Sequence, residues 1–240
     1  MLLVLGTAVL GYAQDNLAAL MPMPNSVVQA KGRPYRFVEG RTAQQFAAEC
    51  LAGIIKCRTG VDVALAADGE RGDITLALDP ALQGDEHYRI DVSRRGIAIA
   101  GSTPAALFRA VMTMDQLLLG AVLATGRDEM RPIYIDDAPR LGYRALMLDP
   151  ARHFLPVRDV KFFIDQMAKY KYNVLQLHLT DDQGWRIAIH SHPELASEQH
   201  YTQEELREII GYAAQRHIEV VPEIDIPGHT VAILAAYPEL

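Results

Sequence analysis

Cysteine is scarce in this sequence, and its two occurrences exclude a disulfide framework. The 240-residue chain contains only Cys50 and Cys57, which lie seven positions apart in a helical pattern. Seven residues of helix place them about 10 Å apart along the axis, whereas a disulfide needs Cα atoms within about 7 Å of each other. We therefore expect two free, mostly buried thiols, and two cysteines alone do not make a metal site.

The apolar run at the start of the chain lacks the length needed to cross a membrane. Leu2–Ala13 is apolar but only twelve residues long, whereas a membrane span takes about 20 residues. The run resembles the apolar core of a secretory signal, with small residues before a cut near Gln14, although no positive segment precedes it. We predict a signal peptide over residues 1–13, an exported protein and no membrane span. The alternative is a buried first strand or helix.

Excess positive charge is the third absence. The net charge of −7 argues against a nucleic-acid partner, which requires a basic face. Half of the residues are hydrophobic and 22% are charged, which is ordinary for a soluble globular protein. The length predicts one or two domains, and there are no internal repeats or low-complexity tracts.

Three apolar runs in the second half of the chain are each followed at once by charged residues. The runs cover Ala145–Leu148, Val174–Leu179 and Ile218–Val221. The first is fully apolar, which favours a strand buried on both faces. Charged residues just past such strands are typical of a site rather than of a core.

The two segments between these runs have helical periodicity. Pro156 suits the first position of one helix, and Thr202 with Glu205 forms a capping-box signature at the start of the other. Apolar residues in both recur at i, i+3, i+4, i+7 and i+8, namely Val160, Phe163, Ile164, Met167 and Ala168, then Leu206, Ile209, Ile210, Ala213 and Ala214. Alternating strands and helices predict a parallel sheet with right-handed crossovers. No Gly-rich phosphate loop follows any strand, which favours a barrel over a nucleotide-binding sheet.

Residues 21–140 have a different organisation, typical of a small α+β domain. Thr103 and Pro104 suit the start of its second helix. We predict strands and helices in the following order: Tyr35–Val38, helix Ala43–Arg58, Val61–Leu65, Ile74–Leu78, Tyr88–Val92, Ile97–Ala100 and helix Thr103–Leu119. No cluster of ionisable residues marks a site there, so we interpret it as a packing or accessory domain.

The candidate site residues follow the three strands of the second half. They are Asp149 and Arg152; His178, Asp181 and Asp182; and Glu223, Asp225 and His229. Asp149 and Arg152 suit either a salt bridge or an arginine that grips substrate oxygens with its planar fork of donors. The Asp pair also suits a turn. Metal ligation by the His and acidic residues is a third possibility, but a carboxylate–His pair that orients a reacting group is the better interpretation.

Four ordered motifs carry a resemblance to a known family. LDPARHFLP, NVLQLHLTDDQGWR, YTQEELREIIGYAAQRHIEVVPEIDIPGHT and AYPEL resemble the β-N-acetylhexosaminidases of glycoside hydrolase family twenty. The resemblance is strong over 143–240 and looser over 21–140. It implies a (β/α)8 TIM barrel over 141–240, with about three β/α units present, preceded by the α+β domain over 21–140.

The resemblance also implies an activity. It is the retaining exo-hydrolysis of terminal N-acetylglucosamine or N-acetylgalactosamine from an N-acetylated oligosaccharide or glycoconjugate, with the substrate's 2-acetamido carbonyl attacking the anomeric carbon. Neither a metal nor another cofactor is implied. By position, Arg152 binds sugar hydroxyls, and Asp181 and His229 belong to the polar network that supports the acid/base. The remaining candidates have supporting roles: Asp149, His178, Asp182, Glu223 and Asp225.

The sequence also departs from the family pattern. Ala145 stands where the family usually has glycine, and no Asp–Glu pair follows a fourth strand. Arg140–Leu240 is 101 residues, whereas a complete barrel takes roughly 200 to 400. We therefore expect a fragment with an open parallel sheet and no activity of its own. The alternatives are a non-catalytic carbohydrate-binding or scaffold protein and a metal-dependent hydrolase with stoichiometric zinc.

Overall fold

The protein forms two compact units, which cover residues 1–140 and 141–240. The structure, a computed structural model, describes residues 20–22, 24–29, 35–36, 41–42, 46–66, 72–126 and 129–240. The signal-peptide prediction over residues 1–13 therefore lies outside the described residues. Each unit is described by itself.

The first unit is built on a five-stranded sheet. Its strands lie in the order β1–β9–β6–β7–β5, and only the β5–β7 pair is parallel. The strands are β1 (Ser26–Gln29), β5 (Ile74–Leu78), β6 (Tyr88–Ser93), β7 (Gly96–Gly101) and β9 (Ile133–Asp137). Two short pairs complete the unit: β2 (Tyr35–Arg36) with β8 (Glu129–Met130), and β3 (Arg41–Thr42) with β4 (Ala64–Leu65).

Two helices pack together in the first unit, α1 (Phe46–Thr59) and α2 (Pro104–Thr125). Thr103 caps α2 by accepting a hydrogen bond from the Ala106 N–H at 3.2 Å, which confirms the predicted helix start. Among the described helices, α2 alone is long and apolar enough to cross a membrane. However, 78% of that stretch is buried, so α2 is the core helix of this unit.

The second unit is a three-stranded parallel sheet in the order β10–β11–β14. Its strands are β10 (Ala145–Leu148), β11 (Val174–His178) and β14 (Glu219–Glu223). The sheet is open, as predicted. Helix α3 (Val157–Lys169) connects β10 to β11, and α4 (Gln203–Ala214) connects β11 to β14.

Shorter elements follow the strands of the second unit. A hairpin, β12 (Thr180–Asp181) with β13 (Gly184–Trp185), comes directly after β11. A 3₁₀ turn (Pro193–Leu195) precedes α4, and helix α5 (Val231–Ala236) comes after β14.

The predicted helix starts are close to those observed. The capping box of α4 is present in both directions, since Glu205 N–H donates to Thr202 and Thr202 N–H donates to the Glu205 carboxylate. Pro156 occupies the N-cap of α3 rather than its first position. The buried faces of both helices carry the predicted apolar residues Val160, Ile164, Met167, Ala168, Leu206, Ile209 and Ala213.

Four sequence-based expectations are wrong. Ile210 and Ala214, predicted on the apolar face of α4, are exposed. The first strand is not buried on both faces, because Met147 is 52% exposed; β10 has only one partner strand, whereas β11, with two, is almost wholly buried. The third strand runs from Glu219 to Glu223 and includes Pro222, which an edge strand tolerates. The thiols are not mostly buried, because Cys50 is half-buried and Cys57 is exposed.

Candidate active site at the carboxyl ends of the parallel strands

Asp181 lies at the centre of the site and is 1% exposed. Its Oδ2 lies 2.7 Å from Arg152 Nη2 and 2.8 Å from His178 Nε2. Its Oδ1 accepts the Asp182 backbone N–H at 2.6 Å and lies 3.2 Å from His229 Nδ1. The structure thus brings groups that follow all three strands onto one carboxylate, because parallel strands present their carboxyl ends at the same edge of the sheet.

Asp181 is ionised in this setting. Burial by itself favours the protonated carboxyl, but the hydrogen bonds from His178 and from the Asp182 N–H, with the charges of Arg152 and His229, lower its pKa below the ordinary value. The pKa of Asp149 is lowered in the same way, since burial is outweighed by two hydrogen bonds and the charge of Arg152. The site therefore keeps its negative charges at neutral pH.

His178 is clamped between two carboxylates. Its Nε2 lies 2.8 Å from Asp181 and its Nδ1 lies 2.9 Å from Glu223, and its side chain is 4% exposed. Burial opposes its charge, but these two hydrogen bonds raise its pKa above the ordinary value. A ring nitrogen that donates to a carboxylate must carry a proton, so this geometry favours the imidazolium form of His178.

Arg152 faces outward from the cluster. Its backbone N–H and its Nη1 both donate to Asp149, at 3.0 and 2.6 Å, while Nη2 reaches Asp181. The side chain is 45% exposed. Two carboxylates fix the guanidinium, and the remaining N–H donors of its fork are accessible to a ligand.

His229 sits in an unusual backbone conformation. Its φ of 57° lies in the left-handed region, which is uncommon for a residue with a side chain. The imidazole is 47% exposed. Its Nδ1 faces the buried Asp181 at 3.2 Å, so this carboxylate fixes the orientation of the ring.

The other predicted residues hold the strand ends in place. Glu223 accepts hydrogen bonds from Gln176 Nε2 and His178, and these bonds lower its pKa. The Asp225 N–H donates to Thr180 Oγ1 at 3.0 Å. Asp182 accepts the Val231 N–H at 3.2 Å, which ties the hairpin to the start of α5.

Two groups of side chains have the composition of a metal site, and the ligand atoms within each group lie within 4.8 Å of one another. The groups are His178, Glu223 and Asp225, and Asp181, Asp182 and His229. In this structure the two ring nitrogens of His178 face Asp181 and Glu223, and Nδ1 of His229 faces Asp181.

Sequence reasoning missed Gln176, Thr180 and Arg186. Arg186 is 8% exposed, and its guanidinium donates to the carbonyls of Pro150, Ala151 and Gln199 at 2.8–3.2 Å. It stands at the end of the quoted DDQGWR motif, but nothing local marks its partners, which lie 13, 35 and 36 positions away.

Family comparisons agree with this architecture. A family model described as "Glycosyl hydrolase family 20, catalytic domain" matches residues 141–240, and one described as "Glycosyl hydrolase family 20, domain 2" matches residues 18–138. An α+β domain followed by parallel β/α units of a partial TIM barrel, with charged groups at the strand ends, defines the class as a barrel glycoside hydrolase. Within that class, the chain belongs to glycosyl hydrolase family 20.

Individual relatives of this chain are named β-hexosaminidases. A β-hexosaminidase of Vibrio furnissii is 43% identical over 70% of this chain and 30% of its own length. A β-hexosaminidase of Akkermansia muciniphila is 42% identical over 67% of this chain and 35% of its own length. The chain thus spans about a third of the length of these relatives.

Solved structures match more of the chain. The Streptomyces plicatus N-acetyl-β-hexosaminidase in complex with Thio-NAglucal is 40% identical, with a TM-score of 0.82 over 92% of this chain and 48% of its own. A mutant of that enzyme in complex with the product GlcNAc gives a TM-score of 0.84 over the same shares. The chain spans about half the length of these structures.

Proposed function

We propose that this chain provides the accessory domain and the first β/α units of an exported β-N-acetylhexosaminidase. The proposed reaction is the retaining exo-hydrolysis of terminal N-acetylglucosamine or N-acetylgalactosamine. The observation that carries the proposal is Arg152, an accessible guanidinium fixed by Asp149 and Asp181 at the strand ends. A rigid fork of donors suits the hydroxyls of a terminal sugar, and membership of the family points to the same substrate class.

The proposed chemistry is substrate-assisted. The carbonyl oxygen of the 2-acetamido group attacks the anomeric carbon as the glycosidic bond breaks, and the leaving oxygen takes a proton from a general acid. Water then opens the cyclic intermediate, and the configuration is retained. Within this scheme Arg152 holds the sugar, and Asp181 orients His229 within the polar network that supports the general acid.

Three of the acidic residues at these strand ends are unsuited to be the general acid. A general acid must be protonated near the working pH. Asp149, Asp181 and Glu223 all have lowered pKa values, since each is held by cationic or hydrogen-bond-donating neighbours. We infer that the 240 residues by themselves have no glycosidase activity, because general acid catalysis typically contributes about 10²–10⁴-fold.

Chromogenic substrates test the proposal. A chain that carries these residues within a complete barrel is expected to hydrolyse 4-nitrophenyl N-acetyl-β-glucosaminide and to release the β-anomer first, while the 240-residue chain does neither. The matched control is 4-nitrophenyl β-glucoside, which lacks the 2-acetamido nucleophile and is expected to be a poor substrate. Equal turnover of the two substrates would refute substrate assistance. Sugar binding without turnover by the complete-barrel chain would favour a carbohydrate-binding protein instead.

A further inference from the structure

Arg186 is a buried cation whose side-chain hydrogen bonds all go to backbone carbonyls, and its Cζ also lies 5.9 Å from the centroid of the Phe154 ring. Its Nε donates to Pro150 O and Ala151 O at 3.0 and 3.2 Å, and its Nη2 donates to Ala151 O at 3.0 Å. Its Nη1 donates to Gln199 O at 2.8 Å. Over residues 129–240 and the described parts of the first unit, no carboxylate pairs with it. Burial accordingly lowers the pKa of the guanidinium.

Burial of this guanidinium costs free energy, and the hydrogen bonds that it donates must offset that cost. Removing a charged group from water without an opposite charge is expensive. Arg186 compensates by donating hydrogen bonds to carbonyls of the turn that follows β10, where the hydrogen bonds of the sheet have ended. Ala151 is fully buried, and a buried carbonyl without a donor is itself costly.

We propose that Arg186 is a positioning residue that sets the Asp149–Arg152 turn, and through it aligns the Arg152 guanidinium for the terminal sugar. The proposal rests on the proposed function. It adds a residue that touches neither the substrate nor Arg152 directly.

Only a few contacts connect Arg186 to Arg152. The Ala151 N–H donates to His178 O at 3.2 Å, and the Ala151 carbonyl is held by Arg186, so both sides of this residue are anchored. Arg152 is the next residue, and its guanidinium spans Asp149 and Asp181. A shift of the turn therefore displaces Arg152 and Asp149 relative to Asp181, which lies in the hairpin after β11.

The backbone of Arg186 is also fixed. Its N–H donates to Leu179 O at 2.8 Å, and its carbonyl accepts the Tyr201 N–H at 2.8 Å. These bonds tie Arg186 to the end of β11 and to the segment before α4. The guanidinium therefore acts from a rigid base, which positioning requires.

Gly184 provides independent support, because it leaves room for this guanidinium. A Cβ at Gly184 would lie 2.5 Å from Arg186 Cζ and 2.8 Å from its Nε. Alanine at this position therefore has to displace the guanidinium from the carbonyls. Gly184→Ala therefore tests the hydrogen bonds from Arg186 to the carbonyls without changing Arg186 itself.

The first test is kinetic and uses a chain with the complete barrel. Arg186→Met is expected to raise KM for 4-nitrophenyl N-acetyl-β-glucosaminide roughly 10- to 100-fold, since a misplacement of about 1 Å can have this effect, with a smaller change in kcat. Gly184→Ala should shift KM in the same direction, and Arg186→Lys should recover part of the loss. In an Arg152→Ala background, Arg186→Met should change KM by less than about twofold.

Arg144 supplies the matched control. It also donates to carbonyls, Lys171 O at 2.7 Å and Leu141 O at 2.6 Å, but it lies at the opposite end of β10. Arg144→Met should lower stability and leave KM unchanged. Equal KM effects of Arg144→Met and Arg186→Met, or additive effects of Arg186→Met and Arg152→Ala, would overturn the proposal.

A second readout does not depend on activity. In the 240-residue chain, Arg186→Met should speed amide hydrogen exchange in peptides that cover 149–153, and Arg144→Met should not. Unchanged exchange there overturns the positioning role even if the unsubstituted enzyme proves inactive. Absence of turnover in the unsubstituted complete-barrel chain would instead refute the proposed function.

Discussion

The two units use buried charge in different ways. In the first unit, Arg109 is 2% exposed and donates to Glu86 at 2.6 Å, with Glu86 11% exposed. Tyr88 is 1% exposed and donates to Asp137 at 2.6 Å. These contacts join α2 and the strand β6 to neighbouring segments, and both partners of each pair lie inside the protein.

The second unit places its buried charge at the bottom of an open cluster. Asp181 is 1% exposed, yet Arg152 and His229, which it holds, are 45% and 47% exposed. Arg152 and His229 can therefore contact a ligand, whereas both members of the Arg109–Glu86 pair are covered. Sequence reasoning did not anticipate the buried pairs of the first unit.

The largest expected effect comes from removing the shared carboxylate. Asp181→Asn leaves His178 and Arg152 facing a neutral amide, and breaking a buried ion pair in this way typically costs about 3–5 kcal/mol. Trp185, the single tryptophan of the chain, lies in the second unit, so its fluorescence can follow the unfolding of the 240-residue chain. The exposed neighbour substitution Asp182→Asn is the control, with an expected change near 1 kcal/mol.

Activity provides a second readout of the same carboxylate. In a complete barrel, Asp181→Asn, His229→Ala and the double variant should show non-additive losses of kcat, because the two residues act as one unit. Independent, additive losses would separate the two residues and contradict a shared network.

The next effect tests whether the first unit is purely structural. Arg109→Met removes the cation of the buried Arg109–Glu86 ion pair, so we expect the free energy of unfolding of this unit to fall by about 3 kcal/mol with KM unchanged. Adding Glu86→Leu should recover much of the loss, since an apolar pair can replace an ion pair. Hydrogen exchange of peptides from α2 measures the change. A raised KM would show that this unit contributes to the site.

Substitution of Arg152 should have the opposite pair of effects, a change in kinetics with little change in stability. Arg152→Ala in a complete barrel is expected to raise KM and to lower kcat/KM about 10- to 100-fold, the range of one hydrogen bond to a charged group. Because its side chain is 45% exposed, stability should change little. Arg158→Ala, at an exposed position on α3, is the matched control. Unchanged kcat/KM for Arg152→Ala would reject the assignment.

The smallest expected effect is the pH dependence of the stability of the second unit. The raised pKa of His178 contributes stability that is complete below its unfolded value of about 6.5 and is lost as pH rises through the folded pKa. The lowered pKa values of Asp149, Asp181 and Glu223 contribute stability that is present above about pH 4 and lost at lower pH. Unfolding followed at Trp185 should show maximal stability between these limits.

The His178→Gln variant sharpens this test. Without the imidazolium, the decline above pH 6.5, on the order of 1 kcal/mol, should disappear, while the acid limb set by the carboxylates should remain. An unchanged alkaline slope would mean that another group is responsible.

Local signals in the sequence determined the elements and their order. The apolar periodicity of Val160–Ala168, the capping box at Thr202 and the N-cap at Thr103 depend on neighbours within one or two turns, so they could be read directly. The alternation of strands and helices then fixed a parallel sheet, and with it the edge at which Arg152, Asp181 and His229 meet.

Properties that depend on residues far away in the sequence could be determined only from the tertiary structure. Whether Met147 is covered depends on how many strands flank β10. The imidazolium state of His178 depends on Glu223, which is 45 positions away. Likewise, the role inferred for Arg186 depends on carbonyls of a turn 35 positions earlier in the chain. Burial, protonation and carbonyl pairing are properties of the three-dimensional surroundings, and residue type and spacing do not specify them.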